Sequence, residues 1–252
     1  MMPDCGTRCA RPRATSACGH YTGKNTRRCS QVTKTKEGDP FLEKRLVKYD
    51  EWLSKGKIAF ASKVVPVSES FKAEQRVLPT EQVMGILESA RSMALQKCEC
   101  RSHYKRCDKP LEVCFLLNDI ADKFVAKGLA RQVSLAEATD VLRKANESGL
   151  VHLSLYMPDH EAFALCSCCS CCCHDLQIVK LFERADIMAR SEYVAALDTD
   201  VCINCGKCVE RCAFGARVLQ HEQMEYNAAD CLGCGLCVTS CPVEATSMLP
   251  RK

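Results

Sequence analysis

Towards the end of the sequence, cysteine recurs at a spacing suited to metal ligation. Residues 202–212 read Cys-x2-Cys-x2-Cys-x3-Cys, and residues 231–241 read the same way. A shift of 29 residues lays Cys202 on Cys231, Cys205 on Cys234, Cys208 on Cys237 and Cys212 on Cys241. It also superposes Gly206 on Gly235, Val209 on Val238 and Ala216 on Ala245, so the segment is an internal duplication. Three thiolates in so tight a loop reach three corners of one iron–sulfur cube, and a fourth thrown forward on a short helical turn points at another. Zinc knuckles are the other chemistry open to paired thiols, but eight cysteines in this interlocking order argue against them.

These residues resemble a bacterial-type two-cluster [4Fe-4S] ferredoxin domain. Carried over to this sequence, the resemblance implies one cluster on Cys202, Cys205, Cys208 and Cys241 and a second on Cys231, Cys234, Cys237 and Cys212. Gly206, Gly233 and Gly235 would turn backbone N–H groups towards the sulfurs, which favours the reduced, more negative cluster. Ile203, Val209, Phe214, Leu236, Val238 and Val243 would exclude water. There is one departure: Pro242 follows Cys241, but Ala213 follows Cys212. Proline fixes a turn and removes a donor, so the expected effect is on potential and not on ligation. Such clusters pass one electron each, which implies electron transfer and says nothing of a substrate.

Two further groups of cysteine lie earlier. Cys98, Cys100, Cys107 and Cys114 form the first, with Arg101 beside Cys100. Cys166, Cys168, Cys169, Cys171, Cys172 and Cys173 form the second, followed by His174. Ten thiols in two stretches call for a metal, because six among eight residues is not a packing pattern. They suffice for two cubes with two thiols to spare, and one or two additional iron-sulfur clusters are expected. The 166–173 run also resembles a metallothionein stretch suited to zinc or copper(I), and a third reading is a cluster with an open iron that binds substrate. Additional clusters are favoured, since the adjacent segment already requires cluster assembly and gives electrons somewhere to go. Arg101 either offsets the charge of a thiolate-ligated cluster or is an ordinary surface arginine. His174 is read as a helix-start residue before a ligand.

A wider resemblance runs through Val77-Leu78-Pro79, Cys98 to Arg101, Cys107, Asp108, Pro110, Cys114, Gly149 to His152 and the Cys166–Cys173 run. Residues 57–245 resemble a family of 4Fe-4S binding, ferredoxin-like proteins of anaerobic bacteria and archaea. The resemblance implies iron–sulfur binding and anaerobic metabolism but no reaction.

Several elements must position these thiols. Leu42, Leu46, Val47, Tyr49, Trp52 and Leu53 give a helical face ended by Gly56. Residues 57–67 read as short strand, broken at Pro66. Thr80 is placed to cap a helix through Gln96, with Val83, Ile86, Leu87, Ala90 and Leu95 inward. A further helix is expected from Leu111 to Lys127, stopped by Gly128. Ser134 and Glu137 make a capping box for a helix to Ser148, with Gly149 its terminator. Leu150 to Leu155 alternates as a strand. The fold class expected is α+β: a basic, disordered extension over 1–40, a helical, Cys-rich α+β domain with an extra iron-sulfur site over 41–190, and a duplicated ferredoxin-like 2[4Fe-4S] domain over 191–252.

Composition bounds the function. The chain has 252 residues, 22 of them cysteine, with net charge +4. Residues 1–40 hold eight basic against three acidic groups, so the rest is near neutral. A basic, apolar-poor tail argues for disorder before nucleic-acid binding. Cys5, Cys9, Cys18, Cys29 and His20 in that tail lack paired zinc spacing. There is no secretory h-region and no apolar run long enough to span a bilayer, which favours a cytoplasmic protein. No triplet has radical-SAM spacing, and no dinucleotide or P-loop signature is present. About 190 residues before the duplication are too few for the catalytic domain of a cobalamin-dependent reductase. The expectation is an electron-transfer protein that serves a redox protein partner or a larger oxidoreductase complex. An iron–sulfur reductase with substrate on its middle cluster is the alternative, and a redox-regulated metal sensor is the more distant one.

Overall fold

Ser134 accepts a hydrogen bond from the backbone N–H of Glu137 at 3.2 Å, and the helix opened by this cap lies on a sheet that spans the middle of the chain. The computed structural model describes residues 39–72 and 83–251. The basic tail through residue 38, the Val77-Leu78-Pro79 motif and the Thr80 cap lie outside the described residues.

Helix α1, Pro40–Ser54, starts where the Asp39 carboxylate accepts from the N–H of Phe41. It ends at Lys55, followed by Gly56 as the sequence suggests. Strand β1, Ser62–Val65, stops at Pro66. Helix α2, Val83–Ser89, is shorter than expected, because Met93–Lys97 is strand β2. Leu95 nonetheless meets the same core as Val83 and Leu87. The helix expected from Leu111 likewise divides into strand β3, Glu112–Leu117, and helix α4, Asn118–Ala126, after the short helix α3, Glu99–Tyr104. Residues 113–117 are buried on both faces. A continuous apolar run of that kind has no alternation to mark it as strand. Arg91 and Ser92 mark the turn: the Arg91 N–H donates to the Asn118 side chain, and Ser92 accepts the Asn118 N–H.

Strand β4, Arg131–Gln132, helix α5, Leu135–Glu147, strand β5, Val151–Leu155, strand β6, Ala164–Cys168, helix α6, His174–Leu181, and strand β7, Met188–Ala189, complete this part. The middle of the chain is a seven-stranded sheet of order β4-β2-β3-β6-β5-β1-β7 flanked by helices, with more strand than the expected helical α+β domain. The α+β class holds. All pairings are antiparallel except β1 with β7.

Register fixes which side chains share a face. Cys114 pairs with Cys166, Cys166 with Leu153, and Leu153 with Val64, a single row across four strands. Side chains alternate along a strand, so Cys168 shares the face of Cys166. Val64 and Leu153 pack with Leu42 and Tyr49 of α1 and with Leu176 and Ile178 of α6. The neighbouring residues Phe115, Leu165 and Val65 pack instead with Val83, Leu87, Ala138 and Leu142 of α2 and α5.

Beyond residue 190 the architecture changes. Strand β8, Tyr193–Leu197, pairs antiparallel with β11, Thr246–Pro250. Strands β9, Arg217–Gln220, and β10, Gln223–Tyr226, form a hairpin whose turn residues His221 and Glu222 both have positive φ. Between these pairs sit two short helices in contact, α7, Lys207–Arg211, and α8, Leu236–Thr239.

Candidate metal centres

The duplicated halves repeat their backbone as well as their cysteines. Gly206 and Gly235 precede α7 and α8 with φ of 72° and 77°, a left-handed conformation that glycine adopts without steric cost. The next turn matches too: Val209 N–H donates to Gly206 at 2.9 Å and Val238 N–H to Gly235 at 3.0 Å. Cys212 N–H bonds the Val209 carbonyl at 3.1 Å, as Cys241 N–H bonds that of Val238 at 3.1 Å. Ala213 therefore follows a turn like the one before Pro242.

Cys202, Cys205, Cys208 and Cys241 line one small cavity with Met224, Gly206 and Pro242. Cys234 and Cys237 share their electrostatic environment with Cys212 and Cys231. The fourth cysteine of each half therefore lies with the first three of the other half. Cys205 is exposed, whereas Cys208, Cys231, Cys234 and Cys237 are buried. Burial pushes the Cys237 thiol up to about 11, against the opposing pull of Arg217.

Arg217 was not singled out by the sequence. It is 2% exposed, and strand β9 sets its guanidinium 4.5 Å over the Tyr226 ring, its register partner on β10. The group lies beside Cys208 and Cys237, one from each set of four, yet both terminal nitrogens lack a conventional hydrogen-bond acceptor. A buried cation whose terminal nitrogens face thiols and a ring in place of oxygen acceptors fits an anionic group held between them. Only its position after Ala216, on a strand that flanks the repeat, sets Arg217 apart in the sequence.

The ten earlier thiols come together from three parts of the sheet and its loops. Cys98 caps α3 and Cys100 lies within it, Cys114 is on β3, Cys166 and Cys168 are on β6, and Cys169 to Cys173 form the turn into α6. Six of them make a chain of contacts: Cys166 with Cys114, Cys114 with Cys98, Cys98 with Cys100, Cys100 with Cys173, and Cys173 with Cys168. The other four, Cys107, Cys169, Cys171 and Cys172, have their sulfurs all within 4.8 Å of one another. Hydrogen bonds from Cys100 and Cys114 hold the Cys98 thiol down to about 3. Contacts with Cys107, Cys171 and Cys172, together with Arg101, depress Cys169 strongly. Thiols held as thiolates are the form that binds metal.

Arg101 is not a surface residue. It is 1% exposed, with Nη2 3.1 Å from the Ser167 carbonyl and 3.6 Å from Cys169 Sγ, and its Nε lacks a partner. It touches both thiol groups, since its backbone N–H also reaches Cys98 Sγ at 3.5 Å. His174 begins α6, and its Nδ1 lies 2.8 Å from Cys100 Sγ. Its Nε2 meets Tyr49 and the buried Asp175, each at 3.1 Å. Burial works to raise the Asp175 carboxyl, but His174 and Tyr49 hold it below the usual range. This Tyr49–His174–Asp175 network escaped the sequence reading because its members lie about 125 residues apart on α1 and α6.

The two parts of the chain meet at the second repeat. The Val67 N–H donates to the Cys234 carbonyl at 3.0 Å, and the Ser191 N–H to that of Leu232 at 3.1 Å. Cys234 and Leu236 pack in the same cluster of buried residues as Cys168, Cys173 and Val151. The first repeat faces outward, with Val201 45% and Ile203 59% exposed beside Cys202 and Cys205. Among the described residues, no helix is long and apolar enough to cross a membrane.

Residues 195–248 match the family model of the 4Fe-4S dicluster domain. No curated protein matches the chain. The C-terminal segment is thus a ferredoxin-like, 4Fe-4S binding unit, joined to a sheet that carries a further group of cysteines able to hold metal.

Proposed function

We propose that the protein is an iron–sulfur electron carrier, or the electron-transfer subunit of an oxidoreductase. Single electrons pass between a redox protein partner, or a larger oxidoreductase complex, and a further cluster in the middle domain by way of two C-terminal [4Fe-4S] clusters. Cys202, Cys205, Cys208 and Cys241 hold the outer cluster, and Cys231, Cys234, Cys237 and Cys212 the inner one. The middle cluster takes four ligands from among Cys98, Cys100, Cys114, Cys166, Cys168 and Cys173. When bound, each cluster takes up and gives back one electron.

The observation that carries this reading is the packing of Cys234 in one buried cluster with Cys168 and Cys173. The second repeat lies against the middle thiols while Cys205 of the first repeat reaches solvent. One end of a path is open to a partner, and the other is closed inside the molecule. The chain's residues hold thiolates, keep water out and offset charge through Arg217 and Arg101. Burial of Cys98, Cys100, Cys114, Cys168 and Cys173, with only Cys166 of the six half-buried, favours a carrier over a reductase that binds substrate at this centre.

The test is anaerobic iron and acid-labile sulfide content of the full chain, with redox titration, for the wild type and a variant that carries Cys98→Ser, Cys100→Ser and Cys114→Ser together and so keeps only three of the six middle thiols. The reading expects about twelve irons with matching sulfide in the wild type, and loss of about four of each in the variant. About eight irons in both proteins would sink the middle cluster.

A further inference from the structure

The ten middle thiols fall into two groups of different size and spacing. Around one ion with metal–sulfur bonds of about 2.3 Å, four tetrahedral thiolates stand about 3.8 Å apart. Thiolates of a cube sit outside its corner irons and stand about 6 Å apart. The sulfurs of Cys107 and Cys169 are 3.7 Å apart, those of Cys171 and Cys172 are 3.8 Å apart, and all four lie within 4.8 Å. Among the described residues, no other set of cysteines forms so compact a group, including the eight in the segment that matches the dicluster domain.

We propose that Cys107, Cys169, Cys171 and Cys172 hold one zinc ion as a closed tetrahedral site, separate from the iron–sulfur clusters. The inference rests on the functional reading above, which leaves the other six thiols to the middle cluster.

The surroundings are built for such an ion. Four thiolates on a divalent cation carry a net charge of −2; one guanidinium lies against a thiol of the set and a second bonds the backbone of the turn that carries three of them. Arg101 Nη2 reaches Cys169 Sγ at 3.6 Å, and Arg106 Nη1 reaches the Cys171 carbonyl at 3.1 Å. Arg106 is itself fixed by Gln177 at 2.6 Å and lies 4.2 Å over the Tyr104 ring. Gln177 also donates to the Cys172 carbonyl at 3.0 Å. The turn from Cys169 to Cys173 closes with the Cys173 N–H on the Cys169 carbonyl at 3.0 Å, and this brings three of the ligands to one side. Partners that orient ligands in this way are a regular part of metal sites.

Zinc has no redox chemistry and takes closed four-thiolate sites as structural ones. Here it joins the loop after α3, through Cys107, to the turn before α6. Cys98 and Cys100 precede that loop, and Cys173 ends that turn. The zinc site therefore pins the backbone that presents three thiols of the cluster site, and it stands outside the electron path.

Elemental analysis of the full chain tests this for the wild type, Cys171→Ser and Cys114→Ser, together with cobalt(II) reconstitution read by visible absorption. The proposal expects about one zinc per wild-type chain and an intense tetrahedral cobalt–thiolate spectrum. Cys171→Ser should lose the zinc and keep its iron and sulfide. Cys114→Ser should keep the zinc, whether or not its iron changes. Loss of about four irons and four sulfides from Cys171→Ser, beside a wild-type chain that holds no zinc, would overturn the proposal by making the four thiols a cluster site. A wild-type chain with neither zinc nor the cobalt spectrum would also overturn it, and that measurement does not depend on the variants folding.

Discussion

The backbone N–H of Val67, just after β1, is bonded to the carbonyl of Cys234 at 3.0 Å. This bond ties a loop of the second cysteine repeat to the end of a strand in the seven-stranded sheet. Val67 has φ of −66°, the angle that proline imposes, and its side chain is fully buried. Val67→Pro removes the donor with little backbone strain. It should cost about 1 kcal/mol for the lost bond, with some further loss from altered packing. Electron exchange between the C-terminal and middle centres should slow. Thermal unfolding and rapid-mixing reduction kinetics read the two effects, and unchanged internal kinetics would remove this contact from the path.

Arg217 places a positive charge between Cys208 and Cys237. A cation there favours the reduced, more negative state of an adjacent cluster. Arg217→Gln should lower the midpoint potential of at least one C-terminal cluster, and Arg217→Lys should lower it less. An EPR-monitored redox titration measures the shift. Equal potentials in wild type and Arg217→Gln would assign the arginine to packing alone.

Val201 and Ile203 stand exposed beside Cys202 and Cys205. A partner that approaches Cys205 would cover them. Ile203→Gln, which adds no charge, should raise the concentration of protein reductant needed for half-maximal rate several-fold, while iron content stays unchanged. A rate that responds equally to a small-molecule reductant would mean that the variant had damaged the cluster and not the docking.

His152 is fully buried on β5, and burial lowers its pKa to about 4. Its Nε2 donates to the Asn146 side chain, which leaves Nδ1 to accept from Ser167 at 3.0 Å, so the neutral ring is the form that fits. Below pH 6.5 the unfolded chain takes up a proton that the folded chain refuses until about pH 4. This residue's contribution to stability should therefore fall as pH drops through that window, by roughly 3 kcal/mol in full. Denaturant unfolding at several pH values, wild type against His152→Gln, checks it. The variant should show the shallower pH dependence, and equal slopes would contradict the assignment.

The C-terminal repeat is the part most legible in the sequence, because its information is local. The turn that follows Gly206 or Gly235 is set within ten residues, and duplication writes the same turn twice. The capping of α5 by Ser134 and the stop of α1 before Gly56 are local for the same reason. Strand β3 was misread because burial on both faces erases alternation, and a five-residue apolar run fits a helix as readily as a strand. Burial of that kind comes from neighbouring strands and helices that the run itself does not specify.

The sequence by itself determined that cysteine chemistry dominates this protein, and which eight thiols belong to a duplicated unit. It did not sort the other ten, because Cys107 meets Cys169 and Cys114 meets Cys166 only through strand register and loop closure. Tertiary structure alone decided that Arg101 and Arg217 are buried among thiols. Charge placement at such depth depends on what the surrounding fold excludes, and spacing along the chain carries no record of that exclusion.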